Sequence, residues 1–487
     1  EGYFKDLFMD GGVGLYSKTY FYAANSLGLS MELFASEDSI IQKIIFVGDA
    51  NDQNGRLLYP DGAPRFKQLY TNGGSSTTHG LSLGVEGRNR VRDFYANGGS
   101  YSGSCAGAHI TAVSYLSTGT IEGYYHIWPG RTGRTNQPGT YTGHFIPPDS
   151  PLLKYYNFGN DLYVDNVYHL LGPYAREDID FPAGTEILLR FDYRRNNTMH
   201  QKVSSWAYKE NMKSGRLVVI GSHPENADSG ERLNLMEAIL LYAMDGAGEP
   251  QIKGTLAKGE TRFMDKNTSD NDPSHAKIGD LQYHHYVIQV PEGAKNFQIS
   301  LEADDSYDMN LFLNKDDFAF KGSSQYSEME SGGNKTIDLS EIESGTWYLS
   351  VKCATTIQTF DQSWGSSYAG NISVLNGVEY SIKADWDSNT TDIMATAEIP
   401  DSWELKQNYP NPFNPSTEIS FNVPTNSNIK LSIFNSLGQE IAVLATGEFS
   451  KGEHSVEFNA ANLTSGLYFY RLESANYSKI MKMILVK

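Results

Sequence analysis

The spacing of apolar and polar residues changes character twice along the chain. Up to about residue 248, short apolar runs such as "KIIFVGDA" and "RLVVIGSHPE" stop at glycine or polar residues. They alternate with stretches such as "ERLNLMEAILLYAMDG", in which apolar residues recur at helical spacing and a glycine follows. Strands that alternate with helices are typical of βαβ units and a mostly parallel sheet. The pattern therefore predicts an α/β domain over residues 1–248.

The helical spacing is missing from the rest of the chain. Between residues 254 and 398, segments such as "HHYVIQV", "NFQISLEA" and "TWYLSVKC" alternate apolar and polar residues and are separated by clusters of Asp, Asn, Gly and Ser. This alternation predicts an antiparallel β-sandwich. A further set of alternating segments, including "IKLSIFNSLGQEI" and "SGLYFYRLES", predicts a second, smaller sandwich over residues 403–487.

Composition narrows the classes of function that are open. A chain of 487 residues is too long for one ordinary domain. Its net charge of −19 and the lack of a basic cluster exclude a nucleic-acid partner, which needs a basic face. No apolar run reaches the roughly 18 residues that span a bilayer, so we expect no transmembrane segment. Cys105 and Cys353 fall in different predicted domains, and we expect no disulfide between them.

One of these two cysteines lies in a run of small residues. The sequence "GSCAG" at 103–107 follows the strand-like "GGSYS" and precedes the helical "AGAHITAVSYL". This is the spacing of a nucleophile elbow, with Cys105 where a serine usually stands. The free N–H groups of the helix that follows favour a thiolate and an oxyanion. Cys105 is therefore a candidate nucleophile, and a buried structural cysteine on a glycine-rich turn is the alternative.

A catalytic thiol needs a base, and the base needs a group that orients it. His223 falls just after the apolar run "LVVI", at the carboxyl end of a predicted central strand, where α/β sheets place their chemistry. Glu225 follows two residues later, and Pro224 favours an extended backbone at His223. The sequence predicts that Glu225 orients the imidazole of His223; a surface His-Glu pair is the alternative.

Glycines after another predicted strand supply a candidate oxyanion hole. In "TNGG" at 71–74, the backbone can approach a substrate closely, and we expect the N–H groups of Gly74 and Ala106 to hold the oxyanion. An ordinary turn is the alternative. His109 is expected to be packed, and the remaining histidines of this region lack the spacing of zinc ligands. The stretch "HLLGPY" at 169–174 either lines the pocket or packs in the core.

These stretches resemble a known superfamily. "TNGG", "FYANGGSYSGSCAGAHI", "NVYHLLGPYA" and "VVIGSHPE" are similar to class I glutamine amidotransferase-like proteins, most of all to the branch of the biotin–protein ligase N-terminal domain. The resemblance implies an α/β three-layer flavodoxin-like domain with Cys105, His223 and Glu225 as the triad, followed here by two all-β sandwich domains. No synthetase that would consume ammonia is visible, which argues against a biosynthetic role.

The middle region resembles a bacterial pre-peptidase C-terminal domain. The resemblance rests on "GDLQYHHYVIQVPEGAKNFQISLE", "DDSYDMNLFL" and "SGTWYLSVKC", and it implies an exported hydrolase. Asp304, Asp305 and Asp308 lie in one loop there and are candidate ligands for Ca²⁺. A solvated acidic turn is the alternative, and no other metal or cofactor is expected.

The last region resembles a type A sorting domain of the type IX secretion pathway. "NYPNPFNPSTEI", "IFNSLGQEI", "SGLYFYRL" and "KIMKMILVK" correspond in order to the recognition blocks of that family. The resemblance implies export across the outer membrane to the cell surface or beyond, with residues 403–487 engaging the secretion machinery.

Together these observations favour a secreted cysteine hydrolase of amide bonds, a peptidase or amidase. Its expected substrate is a peptide or a small amide, and the triad needs no cofactor. Two alternatives remain open at this point. One is a non-catalytic binding or structural protein of the cell surface on the same fold. The other is a secreted glutaminase, which differs from a peptidase only in its substrate.

Overall fold

The computed structural model divides the chain into two compact units, residues 1–388 and 389–487. The residues described are 2–10, 17–34, 45–49, 52–195, 199–362, 365–387, 403–408, 411, 413–435, 439–449, 452–461, 463–474 and 477–486.

A sheet of 13 strands dominates the first unit. Its strands are β1 (Lys5–Asp10), β2 (Met31–Phe34), β3 (Phe66–Thr71), β4 (Ser100–Ser104), β5 (Thr132–Arg134), β6 (Thr140–Phe145), β7 (Tyr163–His169), β8 (Pro173–Ala175), β9 (Glu186–Asp192), β10 (Val203–Tyr208), β11 (Leu217–Ile220), β20 (Gln358–Gln362) and β21 (Gly365–Ala369). The main path runs β20-β21-β2-β1-β3-β4-β11-β10-β9-β6-β7, and β5 and β8 lie off it.

Several α-helices accompany this sheet. They include α1 (Tyr22–Ser26), α2 (Ser76–Ser82), α3 (Gly84–Ala96), α4 (Ala106–His109) and α5 (Gly230–Met244). Short 3₁₀ turns span Lys18–Tyr20, Pro151–Lys154, Phe158–Asn160, Pro224–Asn226, Thr268–Asp270 and Ile372–Asn376.

The middle of the sheet brings three strand ends together. β2, β1, β3, β4 and β11 are neighbours joined by parallel pairing. In register, Thr71 of β3 lies beside Gly103 of β4, and Ser104 of β4 lies beside Ile220 of β11. The residues that follow β3, β4 and β11 therefore leave the sheet at the same edge, which is where ligands and chemistry collect in parallel sheets.

The predicted fold class is wrong. The chain is not an α/β three-layer flavodoxin-like, class I amidotransferase-like domain followed by two all-β sandwiches, because strands far outnumber helices and the large sheet is mixed. Between Thr132 and Tyr208 the chain forms six strands and, in the residues described there, no α-helix. Without helical crossovers, β10, β9, β6 and β7 pair antiparallel. The spacing of apolar residues predicts individual strands and helices, but it carries no information about which sheet each strand joins.

Two smaller sheets complete the first unit. One contains β12 (Ile252–Thr255), β14 (Tyr283–Val290), β16 (Met309–Lys315), β17 (Tyr326–Glu328) and β19 (Gly345–Cys353). The other contains β13 (Thr261–Met264), β15 (Lys295–Ala303), β18 (Lys335–Glu341) and β22 (Tyr380–Asp387). Apart from the parallel pair β12–β14, both sheets are antiparallel. Alternating apolar side chains from both belong to one buried cluster, which also contains Phe8 and Trp206 of the large sheet.

Buried charges also join the large sheet to these smaller sheets. Arg65, next to β3, makes two hydrogen bonds to Asp280, from Nε to Oδ1 at 2.9 Å and from Nη2 to Oδ2 at 2.7 Å. Both side chains are buried, and the Arg65 guanidinium also lies 4.0 Å from the centre of the Phe4 ring. Burial alone would lower the pKa of Arg65, but the Asp280 carboxylate outweighs it and raises that pKa well above its ordinary value. Both side chains of the pair are withdrawn from water.

The second unit is a small β-structure with its own core. One sheet contains β23 (Glu404–Leu405), β24 (Ser416–Val423) and β27 (Gly452–Asn459). The other contains β25 (Ser427–Phe434), β26 (Glu440–Phe449), β28 (Gly466–Ser474) and β29 (Tyr477–Leu485). Its buried cluster, which includes Phe421 and Tyr470, is made only of residues 405–485.

Removing residues 403–487 is expected to leave the first unit folded, because the two units have separate cores. The measurement is the thermal unfolding midpoint of the truncated chain, compared with the transition of the same unit in the full chain. The same truncation in the native host should stop export. A large drop in the midpoint would contradict the independence of the units.

Candidate functional site

Cys105 occupies a strained turn between β4 and α4. Its backbone angles are φ 50° and ψ −104°, a combination that a residue with a side chain rarely adopts. Small neighbours are required there: a Cβ on Gly103 would lie 2.7 Å from the carbonyl carbon of Gly107, and a Cβ on Gly107 would lie 2.0 Å from the carbonyl oxygen of Thr71. The sulfur lies 3.5 Å from the carbonyl oxygen of Leu170, and Cys105 is only 8% exposed. Strain of this kind is characteristic of functional positions.

His223 and Glu225 follow β11 at the same edge of the sheet. The Nδ1 atom of His223 lies 2.7 Å from Oε1 of Glu225, whose side chain is buried. The backbone N–H of His223 donates to the carbonyl of Tyr168 at 2.8 Å. The rings of Tyr168 and His223 lie 5.8 Å apart, centre to centre. The imidazole is therefore held by a carboxylate on one nitrogen and by an aromatic neighbour.

Gly73 is the point at which the cysteine and histidine side chains meet. A Cβ built on Gly73 would lie 2.6 Å from Cε1 of His223 and 3.7 Å from Cβ of Cys105. Both side chains therefore border the same small space, and only a glycine at position 73 leaves that space open. The structure brings Cys105, His223 and Glu225 together, although they lie far apart in sequence.

The charges of this cluster affect the imidazole. Burial opposes a charge on His223, but the Glu225 carboxylate, which is hydrogen-bonded to Nδ1, and the nearby Cys105 sulfur outweigh it. Together they raise the pKa of His223 to about 11. The imidazole is consequently protonated at neutral pH. A protonated imidazole beside Cys105 stabilises a thiolate and can give a proton to a leaving group.

Gly74 and Ala106 carry the candidate oxyanion donors. Gly74 follows the end of β3 with φ 134°, and Ala106 is the first residue of α4. In the part of the chain that the structure describes, neither backbone N–H donates to a backbone carbonyl outside the helices and strands. Donors to an oxyanion must be uncommitted in this way, and the role of these two amides stays a prediction.

Buried histidines surround this cluster without joining it. Nδ1 of His109 lies 3.0 Å from the hydroxyl of Thr132, and burial followed by the nearby Arg134 lowers the pKa of His109 to about 3. His169 lies between Ser222 at 3.1 Å and Thr135 at 2.8 Å. The prediction that His109 is packed agrees with its burial and neutral state. His169, whose neighbour along the chain contacts His223, is the first residue of "HLLGPY", the stretch that the sequence predicts either to line the pocket or to pack in the core.

The candidate calcium ligands accept hydrogen bonds from the backbone of their own loop and of the loop between β17 and β18. Asp304 accepts from the N–H of Ser306 at 2.8 Å, and Asp308 accepts from the N–H of Gly332 at 2.8 Å. Asp305 accepts from the N–H of Gly333 at 3.3 Å. In the described residues, no group of three or more His, Cys, Asp or Glu side chains has an arrangement that could hold a metal ion. Calcium binding stays a prediction.

Replacing Gly73 with alanine is expected to displace His223 from Cys105, because the new methyl group would overlap the imidazole. A thiolate is less favoured when its cationic partner has moved away, so alkylation of Cys105 by iodoacetamide should slow about tenfold. The rate is read by peptide mapping.

The matched control is Gly322→Ala, since a Cβ on Gly322 meets no atom within 4 Å. Cys353 is the internal reference, because burial and then the nearby Asp280 raise the pKa of its thiol and should keep it unreactive in the folded protein. Equal alkylation rates at Cys105 in the wild type and in Gly73→Ala would contradict the coupling of the two side chains.

Comparison with known proteins identifies the end of the chain. The family described as secretion system C-terminal sorting domain matches residues 407–487. The amidotransferase-like and pre-peptidase resemblances gain no support from the family comparison, and no curated protein matches the chain.

Solved structures share only weak similarity with this chain. One is a β-galacturonidase of family GH2 from Eisenbergiella tayi, with 12% identity, a TM-score of 0.13, and coverage of 41% of this chain and 34% of that one. Another is dimeric latent PorU from Porphyromonas gingivalis, with 10% identity, a TM-score of 0.16, and coverage of 73% of this chain and 30% of that one. The chain thus spans about a third of the length of these proteins, and such TM-scores establish no shared fold or function.

The export prediction is confirmed by the family match. Among the described residues, no helix is both long enough and apolar enough to cross a membrane. Residues 407–487 are a C-terminal sorting domain of the type IX secretion system, so the protein engages that machinery and is exported to the outer membrane or cell surface.

Proposed function

We propose that this exported protein is a cysteine hydrolase of amide bonds. The observation that carries the proposal is the contact of 2.7 Å between His223 and Glu225, made beside a cysteine in a strained turn. Cys105, His223 and Glu225 follow strands that end at one edge of a sheet, and this grouping supports covalent catalysis. The hydrolase proposal depends on this local geometry and on no similarity in overall fold.

Each residue of the site has one role in the proposed hydrolysis. The Cys105 thiolate attacks the amide carbonyl and forms a C–S bond, while the N–H groups of Gly74 and Ala106 stabilise the negative oxygen. The C–N bond then breaks, and His223 donates its proton to the departing amine. Water attacks the thioester and gives a proton to His223, the C–S bond breaks, and the carboxylic acid leaves. Glu225 holds the imidazole in place and stabilises its charge throughout.

A peptide or small amide fits the exported location better than free glutamine. Ammonia released outside the cell has no synthetase site to receive it, whereas peptide cleavage is useful there. We therefore propose peptide or amide cleavage as the activity, with glutamine hydrolysis as the competing reaction. A binding protein without catalysis is supported by a different observation, the low exposure of Cys105 beneath the Leu170 carbonyl.

The test uses the purified full chain against a mixed peptide library and against glutamine. Mass spectrometry reads cleavage, and a coupled assay reads ammonia. Peptide products that disappear in Cys105→Ala are the expected result, with Cys353→Ala as the matched control that retains activity. Ammonia without peptide products would overturn the choice of substrate. If neither peptide products nor ammonia form, the binding protein becomes the better interpretation.

A further inference from the structure

Large apolar side chains are exposed beside the candidate nucleophile. The segment that leaves β7 passes directly over Cys105, whose sulfur lies 3.5 Å from the carbonyl of Leu170. Leu170 and Leu171 are 39% and 56% exposed, and Tyr141 on the neighbouring strand β6 is 58% exposed. Tyr141 is paired with Tyr168 in register, and their rings lie 5.5 Å apart. We call Tyr141, Tyr168, Leu170 and Leu171 the apolar patch.

The backbone holds this patch outward at an energetic cost. Leu171 has φ 55°, in the left-handed region that is unfavourable for leucine. Its N–H donates to the carbonyl of Gln137 at 2.8 Å, which fixes the strained residue in place. Gly172 follows in a position where a Cβ would lie 1.8 Å from the carbonyl oxygen of Gly221, so this segment is pressed against the chain that leads to His223. Strain retained in an exposed apolar segment indicates a function.

The position of the patch decides what can occupy it. Tyr168 contacts the His223 ring, and the Leu170 carbonyl contacts the Cys105 sulfur, so two members of the patch border the candidate catalytic residues. No charged side chain belongs to the patch, and its exposed leucines and tyrosine favour an apolar occupant. The patch is thus continuous with the site that would hold the scissile amide.

We propose that the apolar patch is a specificity subsite, which receives a large apolar or aromatic side chain of the substrate next to the scissile amide. The inference rests on the proposed function, because only a hydrolase has a scissile amide. What it adds is a binding site for an apolar group beside Cys105. Contact with Leu170, Leu171 and Tyr141 removes the substrate side chain from water and holds the adjacent carbonyl near the sulfur. Peptides with small or acidic residues at that position gain none of this contact and should be poor substrates.

The experiment compares two alkylating reagents, N-benzyl iodoacetamide and iodoacetamide, at Cys105 of the full chain. Hydrolysis is not needed for this reaction. We define the ratio as the alkylation rate with N-benzyl iodoacetamide divided by the rate with iodoacetamide. Its value in the unfolded protein gives the relative intrinsic reactivity of the two reagents. In the folded protein we expect the ratio to rise about tenfold, because the benzyl group binds the patch.

The test variant is Tyr141→Thr/Leu171→Asn. Asparagine tolerates the left-handed backbone at position 171, and threonine suits a strand at position 141, so the variant removes apolar surface without new strain. The ratio should fall to its value in the unfolded protein. Met212→Asn is the matched control, since Met212 is 72% exposed outside the patch and its loss should leave the ratio unchanged.

The outcomes separate this inference from the hydrolase proposal. A raised ratio that depends on the patch supports the subsite even if no peptide is cleaved, in which case only the proposed hydrolysis fails. Cleavage that requires Cys105, together with equal ratios in the folded wild type, the variant and the unfolded chain, overturns the subsite and leaves the hydrolase. Failure of both reagents to reach Cys105 in the folded protein also overturns the subsite.

Discussion

Replacing Asp280 with alanine is expected to lower the free energy of unfolding of the first unit by about 3–5 kcal/mol. The substitution leaves the Arg65 guanidinium buried and charged without its carboxylate. The remaining hydrogen bonds of Arg65, to the Arg56 carbonyl at 3.4 Å and the Tyr368 hydroxyl at 3.2 Å, are made to neutral groups. Denaturant unfolding of residues 1–388 measures the loss.

Two further variants test the reason for this loss. Removing both charges with Arg65→Met/Asp280→Leu should restore most of the stability, because a buried pair replaced by apolar residues costs little. Asp178→Ala removes an exposed partner of Arg176 and should change the free energy by less than about 1 kcal/mol. A double variant as unstable as Asp280→Ala would show that packing, not the uncompensated charge, causes the loss.

The sorting domain could be predicted from the sequence because its signals are local. Its four blocks lie in order within residues 403–487, and its core is formed from residues of that region alone. The fold of the first unit could not be predicted in this way. Hairpin β20–β21 joins the edge of β2 through the pair Phe34 and Gly365, which lie more than 300 residues apart in sequence. Periodicity carries no information about so distant a partner.

The candidate site shows the same division between local and distant signals. Residues 223 and 225 are two positions apart, so spacing alone could predict that they lie close, but the structure makes the contact through the 3₁₀ turn Pro224–Asn226 and not through an extended backbone. Cys105 was found because its glycines mark a turn. The apolar patch depends instead on the antiparallel pairing of β6 and β7 and on a left-handed Leu171. The stretch "HLLGPY" was noted only as a candidate lining, since neither feature has a signature in the residues themselves.

Replacing Glu225 with glutamine is expected to lower kcat for the proposed amide hydrolysis by about 10²- to 10⁴-fold. The Glu225 carboxylate is the main group that raises the pKa of the His223 imidazole against the effect of burial. With a neutral amide in its place the pKa falls, and the imidazole loses its proton at a lower pH. The cation beside Cys105 is then missing at neutral pH.

The pH dependence of Cys105 alkylation reports this change directly. In the wild type, His223 keeps its proton because its pKa is raised, so alkylation should persist at pH 6. In Glu225→Gln the rate at pH 7 should fall and recover only at higher pH, because the thiolate has lost its cationic neighbour. Glu237→Gln is the matched control, because Glu237 is a buried carboxylate of α5 whose partner at 2.5 Å is the Tyr156 hydroxyl. An unchanged pH profile in Glu225→Gln would mean that the contact of 2.7 Å between His223 and Glu225 does not control the charge of the imidazole, and the proposed roles of both residues would fail together.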